Sequence, residues 1–140
     1  MKKRTNENGF TLVELLVVLA ILGMIVGLVG PQVMKHLGSA KSGTTNLQIE
    51  DLGAALDIFY LDNGRYPNTQ EGLIALVQKP AGFDSWNGPY LKKKNVPQDP
   101  WKNDYQYQSP GQNGEYDLYS YGADNQPGGE GTDRDINSWE

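Results

Sequence analysis

The chain of 140 residues has no cysteine and a single histidine, His36. The first absence excludes disulfides, thiolate metal sites and cysteine nucleophiles, and leaves the compartment open. The second argues against a histidine-rich zinc site or a His-based triad. Long apolar runs are missing outside the first third, so the remainder can build only a small core that depends on packing and local ties. Positive charge is scarce at the far end. Residues 111–140 hold Glu115, Asp117, Asp124, Glu130, Asp133, Asp135 and Glu140 against Arg134, a net of −6, whereas residues 1–9 carry a net of +2. An acidic stretch of this kind repels phosphates and suits a cation, which excludes nucleic acid as the natural partner. With no nucleophile–base set and no phosphate loop, an enzyme is the weakest functional class.

What is present begins with FTLVELLVVLAILGMIVGLVG, residues 10–30, where twenty-one residues carry one charge, Glu14. As a helix this run spans about 31 Å, the thickness of a bilayer core. Its basic flank predicts a cytoplasmic N-terminus. An ordinary signal peptide has a shorter apolar core with a small-residue site after it. Here the suggestive junction, Gly9-Phe10, lies before the run. A carboxylate within a bilayer costs roughly a few kcal/mol, which makes Glu14 a functional candidate. Pro31 removes one backbone hydrogen bond and favours a kink or a break. The apolar pattern resumes beyond it, which predicts continuation.

Residues 44–61 have helical spacing, with Leu52, Leu56 and Phe59 as one stripe for the core. Asn63-Gly64 and Pro67 supply the stop. The expectation is one long helix from Phe10 to Asp62, weakened near Pro31 and around Gly38 and Gly43. Thr69–Val77 reads as a short helix, and 81–104 as loop with room for one short strand. Lys92-Lys93-Lys94 is either a solvated face or a site for acidic lipid or a partner. Tyr105–Gln108 and Tyr116–Tyr121 read as antiparallel strands joined by the turn at 109–114. After Tyr121 the Gly, Pro and Asp content predicts no regular element. Asp124, Asp133 and Asp135 offer hard anionic oxygens, and Asn125, Thr132 and backbone carbonyls offer neutral ones, a donor set suited to calcium. An EF-hand is excluded, since the loop that would start at Asp133 has Ser138 where glycine is needed. Ile136 and Trp139 predict that this segment folds back on the domain.

MKKRTNENG followed by FTLVELLVVLAILGMIVGLVGP resembles the class III signal of type IV pilins and pseudopilins. YLDNGRYPNTQEGLIALVQKP and VPQDPWKNDYQYQSPGQNGEYDLYSYGAD are similar to the major pseudopilins of type II secretion systems; the cysteine-free chain does not match disulfide-bearing type IV pilins. The resemblance implies an α+β, pilin-like fold: a long N-terminal helix, first transmembrane and then amphipathic, packed on a small antiparallel sheet with an irregular calcium-binding loop. It implies a leader over 1–9, a transmembrane and filament-core helix over 10–30, and a periplasmic domain over 31–140. A prepilin peptidase would cut between Gly9 and Phe10 and N-methylate Phe10. The new amine, with a reference pKa of about 8, could pair with Glu14 of its own helix, four residues on, or of a neighbouring subunit, which would give assembly a register. Pro31 joins Glu14 as an assembly residue. The implied calcium ligands are the Tyr121 carbonyl, Asp124, Asp133 and Asp135, with the choice between the last two open. Arg134 either points away or lowers affinity. The implied partners are further copies in a homopolymer, minor pseudopilins, the inner-membrane assembly platform, the prepilin peptidase and the inner membrane. Two other readings stand beside the periplasmic fibre: an external type IV pilin, and a monomeric membrane-anchored calcium-binding module.

Overall fold

A computed structural model describes residues 8–140 of the chain. Its principal element is the helix α1, Leu12–Asn63. The chain divides between Leu37 and Gly38 into two compact units.

In the first unit, α1 opens with reciprocal bonds. The Glu14 N–H donates to Thr11 Oγ1 at 3.2 Å, and the Thr11 N–H donates to Glu14 Oε2 at 2.9 Å. This is a capping box, in which two of the helix's unsatisfied donors are covered at once. Every large apolar side chain from Leu12 to Leu37 is exposed. A helix that is apolar all round and uncovered by the other described residues suits a membrane or the core of an assembly, and α1 is long and apolar enough to cross a bilayer. Pro31 lies inside the helix without ending it. Gly38 and Gly43 are likewise passed without a break. Residues 1–7 of the expected leader lie outside the described residues.

In the second unit, α1 buries Ile49, Leu52, Ala55, Leu56 and Phe59. These meet Leu73, Ala75, Leu76, Phe83, Tyr105, Leu118 and Ile136 in one core. Phe59 sits at its centre, edge-on to Phe83 at 5.1 Å and to Tyr90 at 5.5 Å, geometries that favour ring quadrupoles. A 3-10 helix, Leu73–Leu76, stands where the short helix was expected. Its approach is braced by Glu71, which takes a two-pronged bond from Arg65, 2.8 Å on each oxygen. Glu71 also accepts the Asn68 N–H at 2.8 Å. The Arg65 contact, ahead of the Asn68 amide, holds the Glu71 carboxyl below its usual range.

Strands β1, Gln106–Gln108, and β2, Asp117–Ser120, pair antiparallel, with Tyr107 opposite Leu118. Both are shorter than the sequence suggests, because Tyr105 turns into the core and Tyr116 and Tyr121 fall outside the ladder. No strand forms within 81–104. The expectation of no regular element after Tyr121 is overturned. A short 3-10 turn, Gly131–Asp133, leads into β3, Ile136–Asn137, which pairs with β2 to give the order β1-β2-β3. The reason is the pairing available on β2: Ser120 lies opposite Ile136, and the Ser138 N–H donates to the Leu118 carbonyl at 2.8 Å. Ile136 enters the core and Trp139 meets Tyr119 at 5.8 Å, so the segment does fold back.

Candidate functional site

Gly9 and Phe10 are exposed, non-helical and immediately upstream of the Thr11 cap. Accessible, non-helical backbone just ahead of a helix is the form a peptidase can engage. The same cap engages Glu14. Its Oε2 accepts from both the Thr11 N–H and the Thr11 hydroxyl, at 2.9 and 3.1 Å. The pattern Thr-x-x-Glu, which announces such a cap, was legible in the sequence and outranked there by the lone charge in the apolar run.

A second apolar line on α1 also escaped sequence reasoning. Leu47, Ala54, Ile58 and Leu61 fall at i, i+7, i+11 and i+14, a single helical face, and all four are exposed. Leu61 is 79% exposed and Leu47 63%. Within this unit α1 is therefore apolar on the side that makes the core and again on a side that no residue of the unit covers. Lys92, Lys93 and Lys94 are exposed as well.

The loop after β2 is tied at several points. The Ala123 N–H donates to the Thr132 carbonyl at 2.9 Å. Asp124, which is exposed, accepts the Gln126 N–H on Oδ1 at 3.1 Å. Asp135 Oδ2 accepts the Gly128 N–H at 2.9 Å. Arg134 points outward, 66% exposed and 3.0 Å from Glu140. Asp133 closes the 3-10 turn and is half-buried. The fit to a hard cation is partial. In its favour, Asp135 Oδ1 is buried without a hydrogen-bond partner, an anionic oxygen whose desolvation a cation would offset. Against it, no three His, Cys, Asp or Glu side chains converge as a metal cluster among the described residues. The loop thus carries Tyr121, Asp124, Asp133 and Asp135 without gathering the three aspartate carboxylates at one point.

Residues 32–139 match the family model described as Type II secretion system (T2SS), protein G. The chain belongs to this family. Residues 4–30 match the prokaryotic N-terminal methylation motif, which spans the Gly9-Phe10 junction. Among its relatives is the type II secretion system core protein G of Pseudomonas aeruginosa, 49% identical, with 99% of each chain covered. The Vibrio cholerae protein of that name is 45% identical over 99% of this chain and 96% of its own. The fold is similar to the crystal structure of the major pseudopilin from the type 2 secretion system of enterohaemorrhagic Escherichia coli. That match has a TM-score of 0.65 and 36% identity, and covers 76% of this chain and 88% of that one. As a member of the protein G family the chain is a major pseudopilin, a structural subunit and not an enzyme.

Proposed function

We propose that this pseudopilin is inserted in the bacterial inner membrane with its N-terminus cytoplasmic, is cleaved between Gly9 and Phe10, and polymerises into a periplasmic fibre. The observation that carries the reading is the exposed apolar surface of α1, in the segment Leu12–Leu37 and in the line Leu47, Ala54, Ile58 and Leu61. Burying such a side chain gains about 1.5–3 kcal/mol, and this chain leaves that gain to a membrane or to neighbours. Extraction from bilayer to fibre exchanges one apolar surrounding for another, so the apolar term nearly cancels. Polar groups then set the register. Glu14 has one oxygen engaged by Thr11 and a second available for the amine of a cleaved neighbour. Such a fibre would work with minor pseudopilins and an inner-membrane platform, and would drive folded proteins across the outer membrane.

The C-terminal loop, on this reading, holds calcium. Asp135, the Tyr121 carbonyl, and Asp124 and Asp133 turned inward would be its ligands. The buried, unpartnered oxygen of Asp135 supports this. The ion would supply the positive charge that lets several carboxylates share one site.

The test couples processing to assembly. Assembled protein should give a mature N-terminal peptide beginning with N-methylated Phe10. Glu14→Leu should insert in the membrane as well as the parent chain but yield no crosslinked multimers. Intact Met1 in assembled protein refutes the cleavage; normal multimers from the Glu14 variant refute the pairing.

A further inference from the structure

We propose that Asp99 and Ser120 are positioning residues for the C-terminal loop, fixing the Tyr121–Gly122 peptide and so aiming the Tyr121 carbonyl. This rests on the calcium reading above. Asp99 is 4% exposed and Ser120 is fully buried, yet neither belongs to the acidic loop. Asp99 is a hub. Its Oδ1 accepts the N–H groups of Trp101 at 3.0 Å and Asn103 at 2.9 Å, which closes the turn 99–103. Its Oδ2 accepts the Ser120 hydroxyl at 2.7 Å. With its one hydrogen committed to the carboxylate, Ser120 Oγ can offer only a lone pair to other partners. It accepts the Gly122 N–H at 3.1 Å.

The consequence follows from peptide geometry. A trans peptide is planar, with its C=O and N–H on opposite edges. Holding the Gly122 N–H on Ser120 therefore turns the Tyr121 carbonyl away from Ser120. The next peptide is held from the same turn, since the Gly122 carbonyl accepts Asn103 Nδ2 at 3.4 Å. Gly122 is also where the two ends of the loop meet. At its φ of +73°, a Cβ would lie 2.8 Å from the Arg134 carbonyl oxygen and 2.9 Å from that of Thr132. The positive φ and this close approach both require glycine. A buried carboxylate on one loop thus sets, through one hydroxyl, the direction of a backbone oxygen on another.

A purely structural role would show as lost stability alone. A positioning role also moves calcium affinity. The experiment uses the full chain in detergent micelles, with calcium titrated calorimetrically and melting followed in chelator. Ser120→Ala should weaken calcium binding roughly tenfold or more, the range seen when groups behind metal ligands are removed. Ser120→Thr keeps the hydroxyl but adds a methyl to a fully buried position. It should melt lower in chelator and still bind calcium like the parent. Asp99→Asn should weaken binding in the direction of Ser120→Ala. Asp117→Asn is the control: Asp117 is buried and accepts the Gln112 and Asn113 N–H groups away from this relay. It should lower the melting temperature without changing the affinity. Equal calcium affinity in the parent, Ser120→Ala and Asp99→Asn overturns the positioning role. A parent chain that binds no calcium overturns the calcium reading, and this inference with it.

Discussion

Replacing Gly38 with alanine tests whether the C-terminal loop is seated on α1. Gly38 is a buried helical residue, and a Cβ built there overlaps Thr132 Cγ2. Two terms of opposite sign compete. On an open helix surface, glycine to alanine gains about 1 kcal/mol. Forcing a methyl into an occupied space costs about 1–3 kcal/mol. The single change should therefore be neutral at best and cost up to about 2 kcal/mol. Thr132→Ser deletes the obstructing methyl and alone should cost about 0.8 kcal/mol or less, since Thr132 is half-buried. In the double variant the methyl added at position 38 takes the place of the lost one, 3.5 Å from the remaining Cβ of residue 132, an ordinary contact. The number of methyl groups in the seat is unchanged and the helix gain survives, so Gly38→Ala with Thr132→Ser should exceed the parent by about 0.5–1 kcal/mol. For a unit of this size that raises the melting temperature by roughly 2–8 °C. The assay is thermal unfolding of all four proteins in detergent, followed by near-ultraviolet circular dichroism. A stabilising Gly38→Ala alone, or two effects that simply add, refutes the seat.

Removing calcium from the parent chain should lower its melting temperature, with recovery in calcium and poor recovery in magnesium; the gain is about 2.7 kcal/mol at a hundredfold excess over the dissociation constant. Asp124→Ala should abolish the difference and open the loop to protease, whereas equal melting with and without chelator excludes a structural ion. At alkaline pH the tyrosines dominate: burial pushes Tyr107 up to about 12, and the Tyr121 hydroxyl together with burial pushes Tyr119 up to about 12. Their unfolded value is about 10. The folded state therefore holds these protons more tightly, so this contribution is complete below pH 10 and falls as pH rises from about 10 to about 12. Stability that stays flat across that window in a pH series of denaturant melts refutes it.

The sequence by itself determined the elements whose signals are local. Twenty-one residues with one charge mark a membrane-length segment whatever the rest of the chain does. The spacing of Leu52, Leu56 and Phe59 marks the face of α1 that makes the core. The N-terminal motif around Gly9-Phe10 is a run of adjacent residues, legible without any tertiary partner, and the Thr11–Glu14 cap could have been read the same way. Tertiary structure decided the features that depend on partners distant in sequence. Ile136–Asn137 has no strand signal of its own amid Gly and Asp, and becomes β3 only because β2 offers it backbone groups to pair with. Asp99 looks like an ordinary turn residue until Ser120, twenty-one positions on, brings its hydroxyl to 2.7 Å. The line Leu47, Ala54, Ile58 and Leu61 fits the helical period as well as the core face does. Only the placement of the other elements, which cover one side of α1 and leave this one open, separates the two. Spacing records which residues share a face; what fills the space beside that face is a property of the folded chain.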